Sequence, residues 1–337
     1  MHPISAQRHQ AATTGGIPEP EPIDDGLWSV PLPMPGSFLT YTLGVVHRAA
    51  SGAVTVIDPG WDSDAVISAL DAFLATIDRR LADVRTVVVT HAHPDHIGSA
   101  GRLRSASGAG VVLGRREQAS IDAAGAGGAA DQLASLEAWG VPDAAARALR
   151  ERMAEHGGPN RIALTADILV DDGDQIPVDG LRWRTVLTPG HTPGHICIAD
   201  EERRILFSGD HILPTVYPGL GLGAQLGTNP LADYLRSLRA LAPYDEWDVA
   251  PGHGYRFRGL GDRRRSAAAH ALRRAREVAA AIAAEAHATT WDVASRLTWS
   301  AGWSSSRAAG CSARPCLQTD MYRSFVEAGG LDDQPAV

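Results

Sequence analysis

Apolar residues fall first in short runs and then at helical intervals. Residues 27–33, 38–47 and 54–58 read as strands, and Pro59-Gly60 then makes a turn. Residues 63–77 place Val66, Leu70 and Phe73 or Leu74 on one side, as an amphipathic helix would, with Asp62 or Ser63 as its cap. Residues 84–90 form an unbroken β-branched stretch around Val87-Val88-Val89, the pattern of a strand buried on both faces. A helix to about residue 105 and a strand over 111–113 follow. The order strand, helix, strand, helix, strand predicts a layered α/β domain.

Residues 115–160 break this order. They are Ala- and Gly-rich with helical stretches, and are expected to be an insertion that acts as a lid. Trp139, Met153 and Leu133 would supply its apolar contacts. Strand patterns return at 168–170, 175–178, 182–187, 195–199 and 204–208, with Asp179-Gly180 as a hairpin turn between two of them. A helix over 231–241 and a strand over 247–250 complete the domain. From residue 256 onward the pattern is helical throughout (262–286, 291–297 and 315–328), which predicts a small C-terminal helical domain. The predicted organisation is a tail over 1–25, a catalytic domain over 26–255 and a helical domain over 256–337.

Composition narrows the class. The 337 residues are 44% apolar and 21% charged, ordinary for a globular chain. A net charge of -8 offers no global basic field to nucleic acid or to an anionic membrane. All 31 basic residues are Arg, so no lysine is available for catalysis. Residues 1–25 carry Pro18, Glu19, Pro20, Glu21 and Pro22 and no continuous apolar stretch, so a disordered tail without a signal peptide is expected. No apolar run is long enough to cross a membrane, and the cytoplasm is the expected location. Three cysteines are too few for a disulfide framework; Cys197 is expected to be a buried thiol, and Cys311 and Cys316 to be structural.

The chemistry concentrates in Thr90-His91-Ala92-His93-Pro94-Asp95-His96, directly after the buried strand. In an extended segment His91 and His93 point to the same side, so one cation can take both. The chain then turns into a helix that can aim Asp95 and His96 at a neighbouring position. Three further turns at strand ends carry a His or an Asp: Gly190-His191-Thr192-Pro193-Gly194-His195, Gly209-Asp210-His211 and Gly252-His253-Gly254. Loops at one edge of a sheet can bring such residues together. Imidazoles and carboxylates suit zinc, and also iron or manganese.

This set resembles the metallo-β-lactamase superfamily, marked by His-x-His-x-Asp-His followed by a His, an Asp and a His on later loops. The resemblance covers about residues 26–255 and implies a four-layer αβ/βα sandwich. It implies two divalent metal ions, expected to be zinc. His91, His93 and His191 would hold the first, and Asp95, His96 and His253 the second, with Asp210 between them. Asp58 matches a family Asp that supports the ligands, and His195 and His211 are expected to play supporting roles. His2, His9, His47, His156, His270 and His287 have no motif context and are expected at the surface.

Two dications a few ångströms apart would generate hydroxide near neutral pH, attacking a carbonyl or a phosphorus. Asp95 and Asp210 would be the catalytic carboxylates. The C-terminal series Gly259-Leu260-Gly261-Asp262, Thr290-Trp291-Asp292-Val293-Ala294 and Leu297-Thr298-Trp299 resembles the winged-helix-like tail of the β-lactamase-like endoribonuclease branch, often termed glyoxalase-II-like. The expected activity is hydrolysis of a small-molecule ester or thioester. A ribonuclease or phosphodiesterase, or a lactone hydrolase, is the alternative. The absence of Lys speaks against the glutathione-binding pattern of the hydroxyacylglutathione hydrolases. The Arg residues at 263–265, 273, 274 and 276 are expected to form a solvated helix face rather than a phosphate-binding one, and Trp291, Trp299 and Trp303 to pack a small core.

Overall fold

The computed structural model describes residues 1–36, 39–126, 129–156, 164–285, 287–299, 303 and 313–332. Strands β1 (His2–Pro3), β2 (Glu21–Asp24), β3 (Leu27–Pro33), β4 (Tyr41–Arg48), β5 (Val54–Ile57), β6 (Val84–Val89), β7 (Gly110–Gly114) and β8 (Ile168–Val170) come from the first half. The second half supplies β9 (Trp183–Leu187), β10 (Ile196–Asp200), β11 (Ile205–Gly209), β12 (Asp248–Pro251) and β13 (Phe257–Arg258). Between them lie helices α1 (Ala6–Thr14), α2 (Asp64–Thr76), α3 (Pro94–Ile97), α4 (Ala100–Ser107), α5 (Arg115–Ala126), α6 (Ala129–Ala138), α7 (Asp143–His156) and α8 (Pro230–Ala240). After β13 come α9 (Leu260–Ala284), α10 (Thr290–Arg296) and α11 (Ala313–Glu327).

The strands form two sheets. One has seven strands in the order β2-β3-β4-β5-β6-β7-β8, and the other has six in the order β1-β13-β12-β11-β10-β9. The run β5-β6-β7-β8 is parallel, as is the pair β11-β12; the remaining pairs are antiparallel. Val87 and Val89 face α2 and α4, and Val88 faces the other sheet. That alternation is why β6 reads as apolar throughout. Between the sheets pack Leu27, Val45, Ile57, Val88, Trp183, Ile198 and Phe207. Outside the six-stranded sheet, Leu206 and Val249 share one cluster with Leu235 of α8, Leu272 of α9, Val293 of α10 and Phe325 of α11. The chain is therefore a four-layer αβ/βα sandwich. Its C-terminal helices share a single core with the six-stranded sheet, as that sheet's outer layer.

Several expectations are corrected. Residues 1–25 are not a disordered tail. Ser5 caps α1, β1 pairs with β13, and β2 adds an edge to the seven-stranded sheet. Pro22 is tolerated because an edge strand leaves part of its backbone unpaired. The anchor of α1 is a charge. Arg8 is 2% exposed, donates to the carbonyl of Ser29 at 2.9 Å and pairs with Glu21 at 3.4 Å, and Glu21 is shared with Arg256 at 3.0 Å. Residues 175–178 make only an isolated bridge, Gln175 with Arg184, because Pro177 has no N–H to continue the ladder. His47 is buried against Trp183. Its imidazole is pushed down to about 4, first by burial and then by Arg203.

The insertion folds as α5, α6 and α7. Trp139 packs with Leu136, Val141 and Ala146, and its carbonyl accepts from the N–H of Trp291 at 2.9 Å. The side chains of Leu133 and Met153, together with Cys311, lie outside the described residues. Cys197 and Cys316 are buried free thiols. Among the described residues no helix is long and apolar enough to cross a membrane.

The anchored N-terminus has a measurable consequence. Arg8→Ala is expected to lower the free energy of urea unfolding by about 2 kcal/mol, the value of a hydrogen bond to a charged group. An unchanged unfolding midpoint would mean that α1 contributes nothing to the fold.

Candidate metal centre

The centre sits where both sheets present the ends of their strands. After β6 the chain bends at residues 90–91, His93 is extended, and Pro94 then occupies the first position of α3, where its fixed φ suits a helix start. That turn carries Asp95 and His96 inward. The other sheet supplies His191 after β9, Asp210 after β11 and His253 after β12. Gly252 lets the last strand approach: a Cβ there would lie 2.5 Å from Asp210 Oδ1 and 2.6 Å from His96 Cε1.

Two groups of donors result. His91, His93, His191 and Asp210 form one, and Asp95, His96 and His253 the other, the donor atoms of each lying within 4.8 Å of one another. Asp210 reaches both groups: Oδ2 is 3.7 Å from His191 Nε2, and Oδ1 is 3.4 Å from His96 Nε2 and 3.5 Å from His253 Nε2. Asp95 Oδ2 stands 3.1 Å from His253 Nε2. All seven residues expected as ligands are therefore brought together. His93 and Asp95 remain partly exposed, and the other five are buried.

Hydrogen bonds behind the ligands fix which nitrogen faces inward. His191 Nδ1 donates to the carbonyl of Gly219 at 2.6 Å, and His253 Nδ1 to that of Tyr41 at 2.8 Å. His96 Nδ1 donates to Asp58 Oδ2 at 2.8 Å. Asp58 also accepts from the Thr90 hydroxyl at 2.7 Å and the Thr90 N–H at 2.8 Å. With its proton on Asp58, the Thr90 oxygen accepts from His91 Nδ1 at 3.0 Å. In its neutral form each of these four rings thus carries its proton on Nδ1 and turns a bare Nε2 lone pair inward.

Those lone pairs converge, two of them on His93 Nδ1, whose single proton can serve only one. His91 Nε2 is 2.9 Å from His93 Nδ1, His191 Nε2 is 3.1 Å from the same atom, and His96 Nε2 is 3.3 Å from His253 Nε2. Asp210 Oδ1 is buried with no hydrogen-bond partner. Facing lone pairs and an orphaned buried carboxylate oxygen repel unless a cation lies among them. The donor set therefore fits divalent metal ions. The two groups differ in their electrostatics. Burial and then neighbouring imidazoles, His191 foremost, push His93 down to about 3. At His253 burial opposes the charge, but Asp210 and Asp95 together outweigh it and raise the ring to about 9, so without a cation beside it this Nε2 takes up a proton that a bound metal ion would displace. Asp95 is held down to about 2, where His96 and His253 overcome the burial that would raise it.

Asp58 holds Thr90 and His96 from a left-handed backbone, φ 51°, which Asp tolerates better than most residues. His195 Nε2 accepts from the Asp210 N–H at 3.2 Å, whereas neither ring nitrogen of the buried His211 has a hydrogen-bond partner among the described residues. Tyr217 is turned away from catalysis: it stacks on His270 at 4.0 Å, and its hydroxyl meets Ser266 at 2.8 Å. Arg263 grips the same loop through the carbonyls of Leu213 and Val216 at 2.7 and 2.5 Å. Arg264 pairs with Asp245, while Arg273 and Arg276 stay exposed.

Sequence reasoning missed Glu117, Tyr41 and Gly219. The last two act through backbone carbonyls, which leave no mark in a sequence. Glu117 is a single acid in the first turn of α5 with no motif around it.

The superfamily description Metallo-beta-lactamase superfamily matches residues 44–253, and the chain belongs to that family. It is 30% identical over 223 residues to the probable metallo-hydrolase YqjP of Bacillus subtilis, covering 62% of this chain and 66% of that protein. A hydroxyacylglutathione hydrolase, GloC, of Haemophilus influenzae is 26% identical over 220 residues, covering 63% of this chain and 84% of that one. The chain thus spans just under two thirds of the length of the first of these relatives. Among solved structures, a metallo-β-lactamase family protein of Thermus thermophilus superposes with a TM-score of 0.67 at 26% identity, covering 91% of this chain and 95% of that one.

Removing the carboxylate behind His96 tests this arrangement. Asp58→Ala is expected to weaken metal binding at the Asp95, His96 and His253 group by about 10–100-fold, read by competition with a chromophoric chelator. Unchanged affinity would mean that the ring does not depend on Asp58 for its tautomer.

Proposed function

We propose that this protein is a dinuclear metal-dependent hydrolase, with zinc at both positions, that cleaves a small-molecule ester or thioester. The observation that carries the metal reading is the convergence of bare imidazole lone pairs around Asp210. The thioester reading is supported by the likeness to GloC, a hydroxyacylglutathione hydrolase by name.

Two bound cations would lower the pKa of a water between them and polarise the scissile carbonyl. The chain's own residues do the rest. Asp210, ionised and buried between the two groups, sets their separation. Asp95 is ionised and partly exposed, so it accepts a hydrogen bond from the attacking water and fixes its direction. His93 opens toward solvent beside it, which puts the approach of substrate on that side. The loop over 213–229 forms a wall there. Gly219 in it orients His191, and the Ser120 hydroxyl of α5 donates to the carbonyl of Ala224 at 2.8 Å.

The test is hydrolysis of acyl-CoA and acyl-glutathione thioesters by the zinc-loaded protein, read as free thiol. Turnover is expected, with a loss of about 10²-fold or more in Asp95→Ala. No turnover across the panel, with cleavage of single-stranded RNA or of lactones instead, would reassign the substrate. An Asp95→Ala variant as active as the wild type would overturn the role given to Asp95.

A further inference from the structure

Glu117 lies in the first turn of α5, and its side chain is buried, the residue being 1% exposed. Its carboxylate takes three hydrogen bonds. The Ala92 N–H donates to Oε1 at 2.7 Å, and the Thr192 hydroxyl and the Gly194 N–H donate to Oε2 at 2.9 and 2.8 Å. Ala92 separates His91 from His93, and Thr192 and Gly194 follow His191. One carboxylate therefore grips both loops that carry the three imidazoles of the first donor group. It touches none of the residues of the second group, where His96 rests on Asp58 and His253 on the carbonyl of Tyr41.

The contact is built into the chain. A Cβ at Gly194 would lie 2.0 Å from Glu117 N and 2.4 Å from the carbonyl carbon of Arg116, so only glycine lets the His191 loop reach the start of α5. From the other side, a Cβ at Gly114 would lie 2.8 Å from the carbonyl oxygen of Gly194. The bonds of Glu117 run out of its own helix, so it is not a cap of α5. A glutamine cannot replace it. With only one acceptor oxygen, it would turn an NH2 toward the N–H of one loop or the other.

We infer that Glu117 is the positioning residue of the first metal site, clamping the His91–His93 loop to the His191 loop and setting metal affinity there independently of the second site. The inference deepens the metal reading above and rests on it.

The experiment is a cobalt(II) titration of the full chain against a chromophoric chelator, in the wild type, Glu117→Gln and Thr192→Val. His191→Ala and His253→Ala serve as references for the loss of each site. In Glu117→Gln one of the two equivalents is expected to weaken by about 10–100-fold, the range for residues that orient metal ligands. The other equivalent should be unchanged, and the remaining cobalt absorption should match that of His191→Ala. Thr192→Val removes one of the three bonds and should weaken the same equivalent by a smaller factor. If Glu117→Gln does not fold, Thr192→Val decides by the same pattern. Equal weakening of both equivalents, no weakening, or a match to His253→Ala would overturn the inference. A wild type that takes fewer than two equivalents would instead overturn the metal reading beneath it.

Discussion

Two imidazole nitrogens that both lack a proton cannot face one another in a dry pocket without something positive between them. That constraint organises the centre of this protein. Four rings have their Nδ1 protons committed to Asp58, Thr90, Gly219 or Tyr41, so a neutral ring cannot turn its proton inward without breaking a buried hydrogen bond. Asp210 adds a buried oxygen with no donor. The protein maintains a site that is electrostatically unfavourable by itself and favourable around cations, as expected when binding free energy stabilises the fold.

The sandwich makes this possible by dividing the donors between its sheets. The seven-stranded sheet brings His91, His93, Asp95 and His96 on one turn, and the six-stranded sheet brings His191, Asp210 and His253 on three. The centre therefore depends on how the sheets pack, through Val88, Trp183 and Phe207 among others. Two buried carboxylates refine it locally. Asp58 ties the end of β5 to Thr90 and His96, and Glu117 ties the two sheets' ligand loops to each other. The C-terminal helices contribute from outside, where Arg263 of α9 holds the loop whose Gly219 orients His191.

What was legible in the sequence follows from how each feature is held. The strand over residues 84–89 and the helix over 64–76 are held by apolar periodicity, and both stood out. The seven candidate ligands share a motif spacing and strand-end glycines, so all were visible. The N-terminal helix was not, because its only buried side chain is Arg8, and an ion pair leaves no hydrophobic pattern. Its proline-rich continuation looked like part of a disordered tail, although an edge strand accepts proline. His47 gave no sign of burial because what covers it, Trp183, is far away in the chain. Trp139 was legible as apolar but not as to partner; it packs within the insertion, and its carbonyl accepts from the N–H of Trp291 in α10.

The central claim is that the converging lone pairs around Asp210 hold two metal ions. Anomalous diffraction from crystals of the zinc-loaded protein, collected at the zinc edge, tests it most directly. The account predicts two peaks on either side of Asp210, one among His91, His93 and His191 and the other among Asp95, His96 and His253. A single peak, or none within these residues, would contradict it.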